Sequence, residues 1–462
     1  MPATVSERQR PRWRLLLALL AVMAVVVAAC GNSGDDEGAA PNTTAAAGTT
    51  APSGKVDLDK FVKIDETGVS DDTIRVGSVT SMTNPLGTDF SDFNSGIKGF
   101  FETVNREGGI YGRDLELVAE RDDQLGNNLT EVEGLLAQDN VFAVFNAALL
   151  FTGAQKLADE RVPTFGWNIQ NEWALSDGFF PNAGVICFRC VGRPLLWLAD
   201  KIGAKQIGVL AYDVPQAAEC AEGSRDYVKQ HGNEVGLELG FFDSTIAFGQ
   251  ADVSAQVSAM KDAGVDFIWT CMDFNGVFTV AKEMKRQDMD ATILHANMYN
   301  QEFVAANADL FEGDYVNVRF TAFEHKPQIE AVQTFLDESK RQGFKVRELT
   351  VEGWLAAKQF YDALVATGPD FDREKLISAW NGQPDPYTAD GWLSPLEWPK
   401  QHTDFSDDPA ATPDLSCTNL VKVQDGKFVS AFAEPGKPWI CWDGKDQTSL
   451  ATKNYSFEKP PG

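Results

Sequence analysis

The chain has 462 residues, 44% of them hydrophobic, and a formal charge of −27 from 40 basic and 67 acidic side chains. A field of that sign disfavours nucleic acid and an anionic membrane surface as partners. Beyond the N-terminal segments, about 400 residues remain, enough for a substantial core divided between two lobes.

Arg8, Arg10, Arg12 and Arg14 precede an apolar run from Leu15 to Ala29. A membrane-spanning helix needs roughly 20 apolar residues, so this shorter run reads as the core of a secretory signal peptide over residues 1–29. Val27-Ala28-Ala29-Cys30 resembles a lipobox, in which the cysteine is diacylated and becomes the mature N-terminus. Acyl chains anchor by burying CH₂ groups, each worth about 0.8 kcal/mol. The protein is therefore expected on the outer face of the cytoplasmic membrane, touching it through that lipid alone. Removing the signal takes four arginines and one glutamate, and the remaining 36 basic and 66 acidic residues carry −30. Residues 30–54 continue as the lipidated cysteine and a tether; after Cys30 it contains no aromatic residue and no Val, Ile, Leu or Met. Such a segment buries too little apolar surface to offset its ordering entropy and is expected to be disordered. Its typical reach as a flexible chain is about 25–30 Å.

From Thr73 onward, short β-branched or aromatic runs alternate with helical patterns. Ile74–Val79 reads as a strand, and Asp92–Arg106 as a helix with Ile97, Phe100, Phe101 and Val104 on one face. Gly108-Gly109 ends that helix. Leu115–Ala119 is the next strand, followed by a helix near Leu129–Gln138 and a buried strand at Val141–Phe145. A helix near Ala154–Glu160 leads to a strand at Thr164–Trp167. The pattern then restarts, with helices Leu195–Ile202, Ala218–His231, Val253–Ala263 and Val277–Arg286. These alternate with strands Gln206–Tyr212, Phe267–Cys271 and Thr292–Ala296. Past residue 320 the regularity weakens, although helices Glu330–Gln342 and Val351–Ala366 remain clear. Two strands, Asn419–Val423 and Phe428–Phe432, flank a Gln-Asp-Gly turn typical of a hairpin. Two such series predict an α/β protein of two doubly wound parallel-sheet lobes, with a boundary near Cys187–Gly192 and a ligand cleft between the lobes. Ligands of such sheets bind beyond the carboxyl ends of the strands.

With Cys30 lipidated, six cysteines remain, and an even number in an exported chain suggests disulfides. Six cysteines allow 15 connectivities, among which the sequence alone does not choose; the preferred set is Cys187–Cys190, Cys220–Cys271 and Cys417–Cys441. The second would join the ends of two neighbouring strands, and the third would staple two C-terminal strands. Cys187-Phe188-Arg189-Cys190 reads as a structural bridge near the lobe crossover, since a redox-active pair would begin a helix in a thioredoxin-like unit.

The strand Ile74–Val79, the loop to Asp89 and the stretch Val104-Asn105-Arg106-Glu107-Gly108-Gly109-Ile110-Tyr111-Gly112-Arg113 resemble the opening of type I periplasmic binding proteins, in the Leu/Ile/Val-binding branch. Leu115–Asp123 continues the likeness, and Asp262-Ala263-Gly264-Val265-Asp266-Phe267 takes it into the second lobe. The resemblance implies an N-terminal lobe of residues 72–188 and about 321–395, and a C-terminal lobe of 189–320 and about 396–446. It also implies a monomeric solute-binding component of an ABC importer, closing on a small polar or amino-acid-like solute and docking on permease subunits. A sensor lipoprotein signalling through a membrane receptor would share the fold and tether.

Strand ends supply the candidate ligand contacts. Asp89 and Phe90 occupy the first β–α loop; Asn146, Ala147 and Leu149 follow the third strand, and Trp167 and Asn168 the fourth. Tyr212 and Asp273 end two second-lobe strands, and Asn297 and Tyr299 follow another. Trp354 is a candidate for the cleft wall, although its helical stripe with Phe360 and Tyr361 also reads as core. By resemblance, Ala147-Ala148-Leu149 stands where amino-acid binders use Ser or Thr for the ligand carboxylate, and Asn297 where they place an acidic residue for the ammonium. A buried zwitterion without a counter-charge is costly, which favours an amide, a polyol or an aromatic acid. His231, His295, His325 and His402 show no metal-ligand spacing. No phosphate loop or Gly-x-Ser-x-Gly elbow is present, so neither catalysis nor a cofactor is expected.

Overall fold

A computed structural model describes residues 56–84, 87, 90–186, 192–402 and 417–441. The expected signal peptide, Cys30, the tether, Asp89 and the Cys187–Cys190 pair lie outside them. No helix among the described residues is long and apolar enough to cross a membrane.

The first sheet takes β1 (Thr73–Thr80), β2 (Asp114–Asp122), β3 (Ala143–Ala147), β4 (Thr164–Gly166) and β5 (Phe179–Pro181) in the order β2-β1-β3-β4-β5. All of its pairings are parallel. Every residue of β3 is buried, the signature of a parallel strand covered on both faces. Helices α1 (Ser91–Arg106), α2 (Asn128–Gly134) and α3 (Ala154–Asp159) connect these strands. The helix predicted near Leu129–Gln138 splits into α2 and a π-helical turn, Leu135–Asp139.

After α4 (Gly192–Ile202) a second sheet begins with β6 (Gln206–Tyr212), α5 (Pro215–His231), β7 (Glu238–Ile246), α6 (Ser254–Asp262) and β8 (Phe267–Cys271). It continues through α7 (Phe274–Arg286), β9 (Thr292–His295), α8 (Gln301–Ala306), α9 (Ala308–Phe311) and β10 (Tyr315–Val318). The chain then leaves this sheet. Helices α10 (Glu330–Gln342), α11 (Glu348–Thr367) and α12 (Arg373–Asn381) form a layer in which α10 and α11 meet α1, and α11 also meets β4. The chain returns as β11 (Cys417–Gln424) and β12 (Lys427–Ala431), added antiparallel beyond β10, with the short β13 (Ile440–Cys441) beside β11. The turn joining β11 to β12 is Asp425-Gly426, with φ of +51° and +67°. Positive φ at both positions is what a tight two-residue hairpin requires.

The return of α11 to the first lobe depends on two glycines. A Cβ on Gly353 would lie 1.9 Å from the Phe93 carbonyl oxygen, and one on Gly96 would lie 2.1 Å from that of Thr350. The α1 and α11 backbones therefore touch, and the core aromatic rings Phe101, Phe145, Phe165 and Phe360 pack beside that contact at centroid distances of 5.4–6.3 Å. Disulfides join Cys220 to Cys271 and Cys417 to Cys441. Cys220 lies within α5, so the first of these ties a helix to a strand end rather than two strand ends.

Candidate functional site

Each parallel strand delivers the chain to the same edge of its sheet, and the two edges face each other across a cavity of about 280 Å³. From the first lobe come Phe90 beyond β1, Leu149 beyond β3, Trp167 and Ile169 beyond β4, and Ile186 beyond β5. Opposite them stand Tyr212, Phe248, Met272, Asp273, Asn297 and Arg319, each at or beyond a strand end. Trp269, Leu294 and Val318 form the floor on the second sheet, and Trp439 closes one side. The wall is mainly apolar because strand ends buried between two lobes keep the hydrophobic character of the strands themselves.

Of the residues expected at the cleft, Phe90, Leu149, Trp167, Tyr212, Asp273, Asn297 and Tyr299 line the cavity together. The other described candidates lie elsewhere. Asn146 is fully buried behind the wall, where its Oδ1 accepts from Asn128 at 3.2 Å. Ala147 is taken up in the β1–β3 pairing opposite Thr80. Asn168 turns its side-chain amide to the Gly184 carbonyl at 3.0 Å. Trp354 packs edge-on against Phe100 and Phe335, at 5.2 and 5.3 Å, in the first-lobe core.

Most charged groups on the wall already have partners. The Asp273 carboxylate caps α7 through the backbone N–H groups of Asn275 and Gly276, and accepts the Tyr212 hydroxyl at 2.7 Å. Burial, with Asp273 alongside, pushes the Tyr212 phenol above its usual range. Asp92 and Glu302 each meet Arg347 at 2.9 Å. The Glu348 carboxylate accepts the Tyr299 backbone N–H at 3.1 Å, yet burial still lifts its pKa to about 7. Arg319 differs. Its Nη1 donates to the Asn168 carbonyl at 3.0 Å, and burial pulls its guanidinium below the usual range against the attraction of Glu352 and Glu348.

Several of these contacts join the lobes. Arg319 reaches from the end of β10 to the turn after β4, and Gln216 from α5 to the Leu149 carbonyl at 3.3 Å. Asn171 donates to Glu219 at 2.8 Å, and Arg347 bridges α1 to α8. Arg319, Glu348, Trp269 and Trp439 were not anticipated. A lone arginine after a four-residue strand carries no local signal, and Glu348 precedes the point where the α11 pattern becomes readable.

The chain matches the family described as periplasmic binding protein over residues 73–425. It is 23% identical over 269 residues to the leucine-, isoleucine-, valine-, threonine- and alanine-binding protein of Pseudomonas aeruginosa, covering 56% of this chain and 70% of that one. A branched-chain amino acid ABC transporter structure from Thermus thermophilus with bound valine is similar with a TM-score of 0.64 and 16% identity, over 78% of this chain and 95% of that one. A fatty acid ABC transporter substrate-binding protein from Thermomonospora curvata is similar with a TM-score of 0.63 and 20% identity, over 85% and 97%.

Proposed function

Because the chain belongs to the periplasmic binding protein family, we propose that it is the solute-binding component of an ABC importer and that its solute, held between the lobes, has a largely apolar body. The cavity wall carries this reading: Phe90, Leu149, Trp167, Trp269, Met272 and Phe248 face a space large enough for a small molecule. A polyol, one of the solutes left open by the sequence, carries hydroxyls on every side and would turn some of them against these rings, at a cost of about 1–3 kcal/mol for each unmatched group. The valine bound in one similar structure and the fatty acid for which the other transporter component is named both have an apolar body.

Capture proceeds by closure. The closed arrangement is favoured by whatever free energy the solute gains there over the open one, and the closed face is what a permease would read. Family membership supports a position outside the cytoplasm, and the lipobox-like Val27-Ala28-Ala29-Cys30 supports a lipid on Cys30; a mature mass lacking residues 1–29 and carrying a diacylglycerol tests that anchor. The solute reading is tested by thermal unfolding of the full chain, disulfides intact, against fatty and aromatic acids, their amides, leucine and polyols. A ligand at 100 times its Kd stabilises by about 2.7 kcal/mol. An apolar-bodied solute should raise the melting temperature while polyols leave it unchanged; the reverse would overturn the reading.

A further inference from the structure

We propose that the solute is an organic monocarboxylate with no ammonium group beside the acid, and that its carboxylate is received by Arg319; this rests on the cavity being the solute site. A guanidinium presents five N–H donors in a planar fork matched to a carboxylate. Among the described residues only one protein acceptor meets Arg319, the Asn168 carbonyl. None of the described carboxylates lies within ion-pair distance of it, whereas Arg347 on the same wall holds both Asp92 and Glu302. Arg319 is half-buried on the cavity wall, and a guanidinium that gives one bond to a protein acceptor keeps donors of its fork for a carboxylate in the cavity.

The unmet hydrogen-bonding capacity of the wall points the same way. Among the described residues of the wall, the buried side-chain polar atoms without partners are Trp269 Nε1 and Arg347 Nε, both donors. Two of the wall's carboxylates already accept hydrogen bonds, Asp273 from Tyr212 and the start of α7, and Glu348 from the Tyr299 backbone. A solute rich in acceptors fits such a wall. An α-ammonium group would meet wall carboxylates that already hold partners, Asp92 with Arg347, Asp273 with Tyr212 and Glu348 with the Tyr299 backbone. Asn297, half-buried on the wall, can serve a neutral hydroxyl or carbonyl substituent.

The test uses matched probes on the full chain, read as Kd by calorimetry: octanoate against octanamide, benzoate against benzamide, and 4-methylpentanoate against leucine. At least one acid should bind about 10- to 100-fold tighter than its amide, the range of a charge-assisted hydrogen bond. In addition, 4-methylpentanoate should exceed leucine. Arg319→Gln should abolish the preference for acid over amide, read as the ratio of the two Kd values so that any effect on closure cancels, and Arg319→Lys, keeping charge without the fork, should restore part of that preference. Should Arg319→Gln fail to fold, the matched series on the unmodified chain decides alone. Equal binding of acid and amide, or leucine binding tighter than 4-methylpentanoate, overturns the assignment of the carboxylate while the cavity reading stands. Silence toward every apolar probe, charged or neutral, overturns both.

Discussion

Glu348 shows how one side chain at the cavity edge sets a pH dependence. Arg319 and Glu352 act on it electrostatically, Arg347 precedes it in the chain, and the Tyr299 N–H binds its carboxylate. Burial dominates and raises its pKa from 4.5 to about 7. A carboxyl raised in the folded state favours folding while protonated. Its contribution is therefore complete below the unfolded value, near pH 4.5, and is lost as pH rises through about 7. Glu348→Gln should flatten stability across that window, gaining on the unmodified chain by about 1–3 kcal/mol between pH 5 and pH 8. Urea midpoints at the two pH values measure this; an unchanged difference would return Glu348 to an ordinary solvated carboxylate. Glu352 is raised by burial as well, opposed by its bond with Asn182, so the double substitution should flatten the profile further.

Between elements, the α1–α11 contact makes the sharpest demand on sequence. In an ordinary helix interior, Gly→Ala stabilises by up to about 1 kcal/mol. At Gly353 the added methyl would meet the Phe93 carbonyl oxygen at 1.9 Å, so Gly353→Ala should destabilise by roughly 1–3 kcal/mol, and the sign of the shift in urea midpoint separates the two cases. Elements of this kind were legible: α1 shows its apolar face at 3- and 4-residue spacing, and β6 and β8 are short apolar runs buried almost throughout. The edge strand β7 was missed because most of its residues are only half-buried and show no alternation. The strand β10 was missed because four residues, Tyr315–Val318, are too few to show a period. That second omission hid Arg319, which stands immediately beyond it. Strand-end candidates such as Trp167, Asp273 and Asn297 could be found because the cleft of a parallel sheet lies beyond strand ends. Whether a residue there faces the cavity, as Trp167 does, or turns to a neighbouring carbonyl, as Asn168 does, is decided by tertiary packing, and Trp354 went to the core for the same reason.

Across the whole molecule, the polar contacts that join the lobes around the cavity include Arg319 to Asn168, Gln216 to Leu149, Asn171 to Glu219 and the Arg347 bridge between Asp92 and Glu302. A neutral bond of this kind is worth about 1 kcal/mol net, so loss of one shifts the closing equilibrium that a solute's differential affinity acts on. The three tryptophans of the cavity wall come from separate parts of the fold: Trp167 beyond β4, Trp269 in β8 and Trp439 just before β13. An indole changes the colour and intensity of its emission with the polarity around it. A solute that displaces water from between these three rings writes its own arrival into the light the protein gives off, so uptake can be followed in real time with no label attached.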